Sequence, residues 1–358
     1  MHMKRFSRLM LAALLVLCMA APLALFAGGQ NESAGKPAEQ PKKAEPFAIA
    51  AFIPGVVAGS PLYEQLVAGA KKAVAEHPNA SLKVVEGGFN QAEWPEKVTS
   101  LAATGEYKLI ISSNPSMPFI CADVGKKFPN QKFINVDGYL PGNKQIYTML
   151  YNQVEQGYLA GYMGGLVTTS KMKGANPDLK VGMIVAQEYP ALTKMMKPGY
   201  LKGLHAVNPK ITLDYRVIGN WYDANKAADL ANSMFDAGVD VILVIAGGAN
   251  QGAINAAKER GKYILYFDSN VYSMAPGTIV GCSVLYQEKA VYKVVSEAIT
   301  GKIKYGNADV VSAADGYVDF VDDDPVYIKT VPEDVRAKMS KVVKDMRSGK
   351  LALQVPKL

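Results

Sequence analysis

The chain alternates repeatedly between short runs with almost no polar residue and longer segments whose apolar residues recur at helical spacing. The first run, "FAIAAFIPG" (residues 47–55), is apolar throughout and stops at Pro-Gly. A strand with one wet face alternates apolar and polar residues, so an unbroken run points to a strand covered on both faces. Residues 62–77 follow, with Leu62, Leu66, Ala70 and Val74 on one side of a helix. Then come "SLKVVEG", "PEKVTSLAATG", "YKLIISS", "PFICADVGKKFP" and "QKFINVD", read as strand, helix, strand, helix, strand, and "IYTMLYN" as a further short strand. Such an order predicts a parallel sheet wrapped by helices.

After Asn152 the chain enters a Gly- and Ala-rich helix, "QGYLAGYMGGLVTT", and near Lys180 the pattern starts again. Here "KVGMIVA", "ITLDYRVIG", "DVILVIAG", "KYILYFD" and "TIVGCSVLY" read as strands, with helices over 191–206, 223–237 and 251–260. Two α/β halves of matching layout predict two Rossmann-like lobes side by side. Lobe one is expected over 47–151 plus about 288–318, and lobe two over 152–287 plus about 319–358. The helix "EKAVYKVVSEAITGK" and the tail "YVDFVDDDPVYI" are too short for a third domain and are expected to complete the two sheets.

The N-terminus has a different character. Lys4, Arg5 and Arg8 precede an apolar stretch that ends in small residues, the pattern of a secretory signal over residues 1–27. Pro22 interrupts that stretch, so a retained membrane anchor is the weaker reading. Residues 28–46 are rich in Gly, Gln, Glu, Ala, Lys and Pro and read as a flexible tether. Cys18 has Leu17 before it rather than a small residue, which disfavours lipid attachment there. The formal charge is +7, and +4 once residues 1–27 are set aside, spread over scattered lysines. That distribution argues against nucleic acid as a partner. Of the remaining cysteines, Cys121 and Cys282, two buried free thiols are favoured over one disulfide.

The glycine turn Gly247-Gly248-Ala249-Asn250-Gln251-Gly252 opens a helix after a buried strand, which invites a phosphate. Its spacing fits neither the dinucleotide fingerprint nor a Walker A loop, so its glycines are read as letting a ligand approach the backbone, or as plain turn chemistry. Asp268 ends "YILYFD" and Asp137 ends "FINVD". An acid at a parallel strand's carboxyl end faces the crevice and can accept hydrogen bonds from vicinal hydroxyls, or can merely cap the next turn. Tyr63, Tyr189, Trp221 and Tyr286 each lie just past a strand end, where rings could flank a planar heterocycle. Only His77 and His205 remain beyond the signal, in no triad or metal-binding pattern, and "VDDDP" lacks calcium-loop spacing. No cofactor or metal is called for.

Three segments carry a resemblance: "VEQGYLAGYMGGLVT", "VGMIVAQEYPALTKMMKPGYLKGLHAVNP" and "NWYDANKAADLANSMFDAGVDVILVIAGGANQGAINAAKERGKYILYFD". In order and spacing they resemble the basic membrane protein, or PnrA-like, family of ABC-transporter substrate-binding proteins. The resemblance implies a type I periplasmic binding protein fold: two lobes, three crossovers and a ligand clamped between them. It also implies roles residue by residue. Gly247 is the cleft glycine, Asp268 holds ribose hydroxyls, Trp221 stacks on the base and Asn114 lies near the base edge. The first loop departs from the family pattern. It reads "IPGVVAGSPLYEQ", without the leading acid, with Leu62 for Phe and Tyr63 for Asn, and Tyr286 stands where the family has Lys. The expectation is therefore a periplasmic, non-enzymatic receptor for a heterocycle with a ribose or ribityl arm, riboflavin or a purine nucleoside, working with an ABC permease and ATPase. Its rivals are a receptor for another small ligand such as a sugar, an α/β enzyme without visible catalytic residues, and an adhesin or structural lipoprotein that needs no pocket.

Overall fold

The computed structural model describes residues 45–357. The expected signal, most of the tether and Cys18 lie outside the described residues. Elements run in the order β1 (Phe47–Ile53), α1 (Pro61–Ala75), β2 (Ala80–Glu86), α2 (Trp94–Ala103), β3 (Leu109–Ser113), α3 (Met117–Lys127), β4 (Lys132–Val136) and β5 (Ile146–Tyr151). Next come α4 (Gln153–Thr168), β6 (Lys180–Val185), α5 (Lys197–Val207), β7 (Thr212–Val217), α6 (Ala224–Asp236), β8 (Val241–Ile245), α7 (Asn250–Arg260), β9 (Tyr263–Asp268) and β10 (Ile279–Leu285). The chain ends with α8 (Gln287–Ile299), β11 (Ala308–Val311), β12 (Val318–Phe320), α9 (Pro325–Thr330) and α10 (Glu333–Arg347).

These strands form two six-stranded sheets, β2-β1-β3-β4-β5-β11 and β7-β6-β8-β9-β10-β12. All pairs are parallel except β10–β12. In each sheet the first strand lies between the second and third: Ile49 is opposite both Leu82 and Leu109, and Val181 is opposite both Leu213 and Val241. Strand order reverses there, and in such sheets ligands bind outside the carboxyl ends near that reversal. Burial follows strand position. β3, β8 and β10 are buried throughout, whereas the edge strands β2 and β7 keep Lys83, Glu86, Asp214 and Arg216 because one side meets water.

Among the described residues the chain passes between sheets three times: at Asn152 into α4, through α8 to β11, and between β11 and β12. The passages bond to one another. Asn152 N donates to Val311 O (2.7 Å) and Tyr286 N donates to Tyr317 O (3.0 Å). The tail is tied in as well, with Asn152 Nδ2 donating to Leu353 O at 2.7 Å. Expectation and structure differ at the C-terminus, where β11 and the long helix α10 have no counterpart in the sequence reading. β11 is an exposed edge, and α10 is mostly charged with only a narrow apolar stripe (Val335, Met339, Val343, Met346). Cys121 and Cys282 are both buried and free, and burial pushes each thiol up to about 12.

Candidate functional site

β4 and β9 hold the same place in their sheets, and each delivers an aspartate at its carboxyl end. Asp137 follows β4, and Asp268 is the last residue of β9. Both have left-handed backbone, φ 56° and 76°, which among the described non-glycine residues only Leu179 shares. The conformation is tolerated by Asp but costs free energy, and the strand ends turn sharply there.

α4 grips both acids. Gln153 Nε2 donates to Asp137 Oδ1 at 3.1 Å, and Gln156 Nε2 donates to Asp268 Oδ1 at 2.8 Å and to Ser283 O at 3.3 Å. Three positions apart on a helix, the two glutamines share a face. Between them Glu155 turns away and accepts from Ala313 N (2.9 Å) and Leu353 N (3.2 Å) at the passages. Burial lifts the Asp268 carboxyl to about 6, with the Gln156 hydrogen bond pulling the other way. Asp137 is also raised, well above the usual carboxylate range, first by burial and then by the Asp268 charge. Two desolvated carboxyls that repel each other favour the protonated form of at least one.

Aromatic side chains close around this pair. Tyr63 Oη donates to Pro54 O at 3.1 Å, and burial raises its phenol, with the charges of Asp137 and Asp268 adding to the shift while a hydrogen bond with Asn114 opposes it. Tyr189, also raised by burial, feels the same two charges. Its ring stands 6.2 Å from Trp221 at 38°, a tilted pair. Trp221 is fixed by Nε1 to Gln187 Oε1 (3.2 Å) and by its carbonyl, which accepts from Ala249 N at 3.2 Å. Gly247 lies against it with φ 56°, and a Cβ there would stand 3.3 Å from Trp221 O. The glycine turn therefore shapes the Trp221 wall. Gly252 serves packing, because a Cβ on it would run into Ala224 O of α6.

Tyr63, Asn114, Asp137, Tyr189 and Asp268 are thus brought together, with Trp221 and Gly247 adjoining through Tyr189. Asn114 Oδ1 is engaged by Ser116 N (2.9 Å) and Ser116 Oγ (2.5 Å), a turn that starts α3. Tyr286 goes elsewhere: the residue is 40% exposed, and its hydroxyl donates to Asp319 Oδ2 at 3.3 Å, beside Arg347. The acidic run near β12 is structural, since Asp322 pairs with Arg347 (3.0 Å) and Asp324 caps α9. Among the described residues no group of three or more His, Cys, Asp or Glu could hold a metal ion. Gln153 and Gln156 were missed by sequence reasoning. Their signal was present, as two glutamines three apart where a helix begins directly after a strand.

The lobes also touch at the rim. Gln65 Nε2 donates to Ser269 Oγ (3.3 Å), Gln91 Nε2 donates to Gln187 Oε1 (3.4 Å), and Phe89 meets Tyr222 at 5.9 Å.

Residues 47–351 match the family described as "ABC transporter substrate-binding protein PnrA-like". The chain belongs to this family. Its members are solute-binding components of transport systems and not enzymes. Similar proteins include an ABC transporter nucleoside-binding protein, BmpA, of Lactococcus lactis, 29% identical over 42% of this chain and 41% of that protein. A purine-binding protein of Brucella abortus is 25% identical over 52% and 50%, and basic membrane protein B of Borreliella afzelii is 26% identical over 57% and 63%. The first of the curated relatives are matched over about two fifths of their own length. Among solved structures, an ABC transporter solute-binding protein of Aeropyrum pernix superposes with TM-score 0.76 at 18% identity, covering 87% of this chain and 94% of that one. A carbohydrate transporter solute-binding protein of Agrobacterium radiobacter, in complex with D-arabinose, gives 0.60 at 16%, covering 80% and 99%. These likenesses establish the type I periplasmic binding protein fold.

Proposed function

We propose that the protein is an extracytoplasmic receptor that clamps a heterocycle carrying a ribose or ribityl arm and hands it to the permease and ATPase of an ABC importer. The observation that carries this reading is the placement of Asp137 and Asp268 at matching strand ends, both held by α4, beside the Tyr189–Trp221 wall. Carboxyls without a basic partner among the described residues suit neutral hydroxyls, which donate to them. A wall of two aromatic rings suits a flat apolar heterocycle. Nucleoside- and purine-binding relatives support a purine nucleoside. Riboflavin is supported by a specific feature: the first loop supplies the Tyr63 ring where the family pattern has Asn, and the leading acid is missing.

Tryptophan fluorescence tests the reading. Trp94 is buried with Nε1 bonded to Gly88 O (2.9 Å), so quenching by a cleft ligand should come from Trp221 and vanish in Trp221→Phe. Saturable quenching by guanosine or riboflavin, without turnover, supports the receptor, and a yellow co-purified flavin would select riboflavin. Product formation would support an enzyme, and silence toward both compounds would support an adhesin.

A further inference from the structure

Buried polar atoms are nearly always hydrogen-bonded, and each exception calls for a reason. Three of the unpartnered buried side-chain atoms among the described residues belong to the junction of β5 and α4: Tyr151 Oη, Gln153 Oε1 and Gln156 Oε1. A fourth, Ser283 Oγ, belongs to the residue whose carbonyl accepts from Gln156. All four residues are at most 1% exposed. In each glutamine the free oxygen shares a carbon with the nitrogen that donates to an aspartate, so it lies beside that carboxyl. The Tyr151 phenol feels the charges of both Asp137 and Asp268. No further hydrogen bond reaches either carboxyl among the described residues.

We infer that Tyr151, Gln153 and Gln156, where β5 passes into α4, are ligand-contacting residues that form the polar floor of the cleft and read the ligand's hydroxylated arm together with the two aspartates. This inference rests on the proposed function and deepens it. The chemistry follows from what is unpaired. Two amide oxygens and the carboxylate oxygens need donors, while the Tyr151 hydroxyl and a protonated carboxyl can also donate and so suit an acceptor. A hydroxyl both donates and accepts, so two or more hydroxyls on adjacent carbons satisfy the set. An ammonium group would suit the carboxyls and leave Tyr151 without an acceptor. A floor built at the passage between lobes, bonded to the strand ends of both, engages the arm at the point where closure brings Asp137 and Asp268 together.

The test compares each ligand with its armless or hydroxyl-poor analogue: guanosine with 2′,3′-dideoxyguanosine, and riboflavin with lumichrome. The full chain and its Tyr151→Phe, Gln153→Leu and Gln156→Leu variants are titrated with each pair. A site built to bond hydroxyls should prefer the hydroxyl-bearing member by about 100-fold or more. Each substitution should cut that preference about tenfold, one hydrogen bond's share. A variant that weakens both members equally, or neither, overturns the inference. A second readout needs no ligand: since the Tyr151 hydroxyl has no partner, ligand-free Tyr151→Phe should melt at the same temperature as the parent or higher. A fall of several degrees would show the hydroxyl already engaged by the protein and would overturn the floor. Should neither pair bind the parent chain, the proposed function fails, and the melting comparison alone judges whether these atoms lack partners.

Discussion

The residues that matter most are Asp137 and Asp268, two acids in left-handed backbone, each held by one glutamine. A hydrogen bond to a charged group contributes about 1.5–3 kcal/mol. Asp268→Ala should therefore weaken a hydroxyl-bearing ligand by about that amount, as read by titration calorimetry, and an unchanged affinity would place the arm elsewhere. The same carboxyl sets a pH dependence. Because burial lifts Asp268 to about 6, the folded chain holds a proton between about pH 4 and 6 that the unfolded chain has released. Ligand-free stability from this group is thus greatest at low pH, falls as pH rises through that window, and is level above it. Asp240, lifted to about 6 mainly by burial, and Asp137, raised by burial and then by the Asp268 charge, add slopes of the same sign, so the parent must be compared with Asp268→Asn. Melting curves from pH 4 to 8 should be flatter in the variant. Ligand affinity should run the other way, rising to about pH 6–7 as the carboxylate that accepts the hydroxyls forms.

At the scale of elements, the α4–α5 pair explains why these helices are rich in glycine. A Cβ on Gly157 would run into Met196 O, one on Gly161 into Tyr200 O, one on Gly199 into Val154 O and one on Gly203 into Tyr158 O. The helices meet backbone to backbone, and this contact fixes the angle at which α4 presents Gln153 and Gln156. Gly161→Ala puts a methyl group against main chain that cannot rotate aside, so the cost should reach the upper end of overpacking penalties, about 3 kcal/mol. Urea denaturation should register it as a lower midpoint with an unchanged slope. A variant as stable as the parent would mean that the helices can slide apart.

For the whole molecule, contacts between lobes bridge the rim of the cleft. Phe89 and Tyr222 are each more than half exposed, yet they meet across the cleft, and Gln91 bonds Gln187 nearby. Such an aromatic pair contributes about 0.5–1.5 kcal/mol beyond area burial. Removing it in a Phe89→Ala/Tyr222→Ala double variant should speed ligand release about 2- to 10-fold in stopped-flow displacement. Association should change little, because the contact forms only on closing. An altered association rate with unchanged release would make the pair part of the entry path instead.

The sequence by itself determined the repeated strand–helix order, the doubled layout and the two acids at matching strand ends. These are local matters, since apolar runs and helical spacing are written in neighbouring residues and a parallel strand's end is where its apolar run stops. Tertiary structure alone decided the rest. Tyr286 satisfies the same sequence rule as Tyr189, but the passage into α8 turns it toward Asp319. Gln153 and Gln156 look like any polar residues at a helix start until packing buries them against carboxyls 16 and 112 positions away. α10 and β11 carry too weak an apolar pattern to announce themselves and gain their place from the helices and strands already formed. Side chains that meet across a cleft are far apart in the chain, so only the closed fold could say which of them act together.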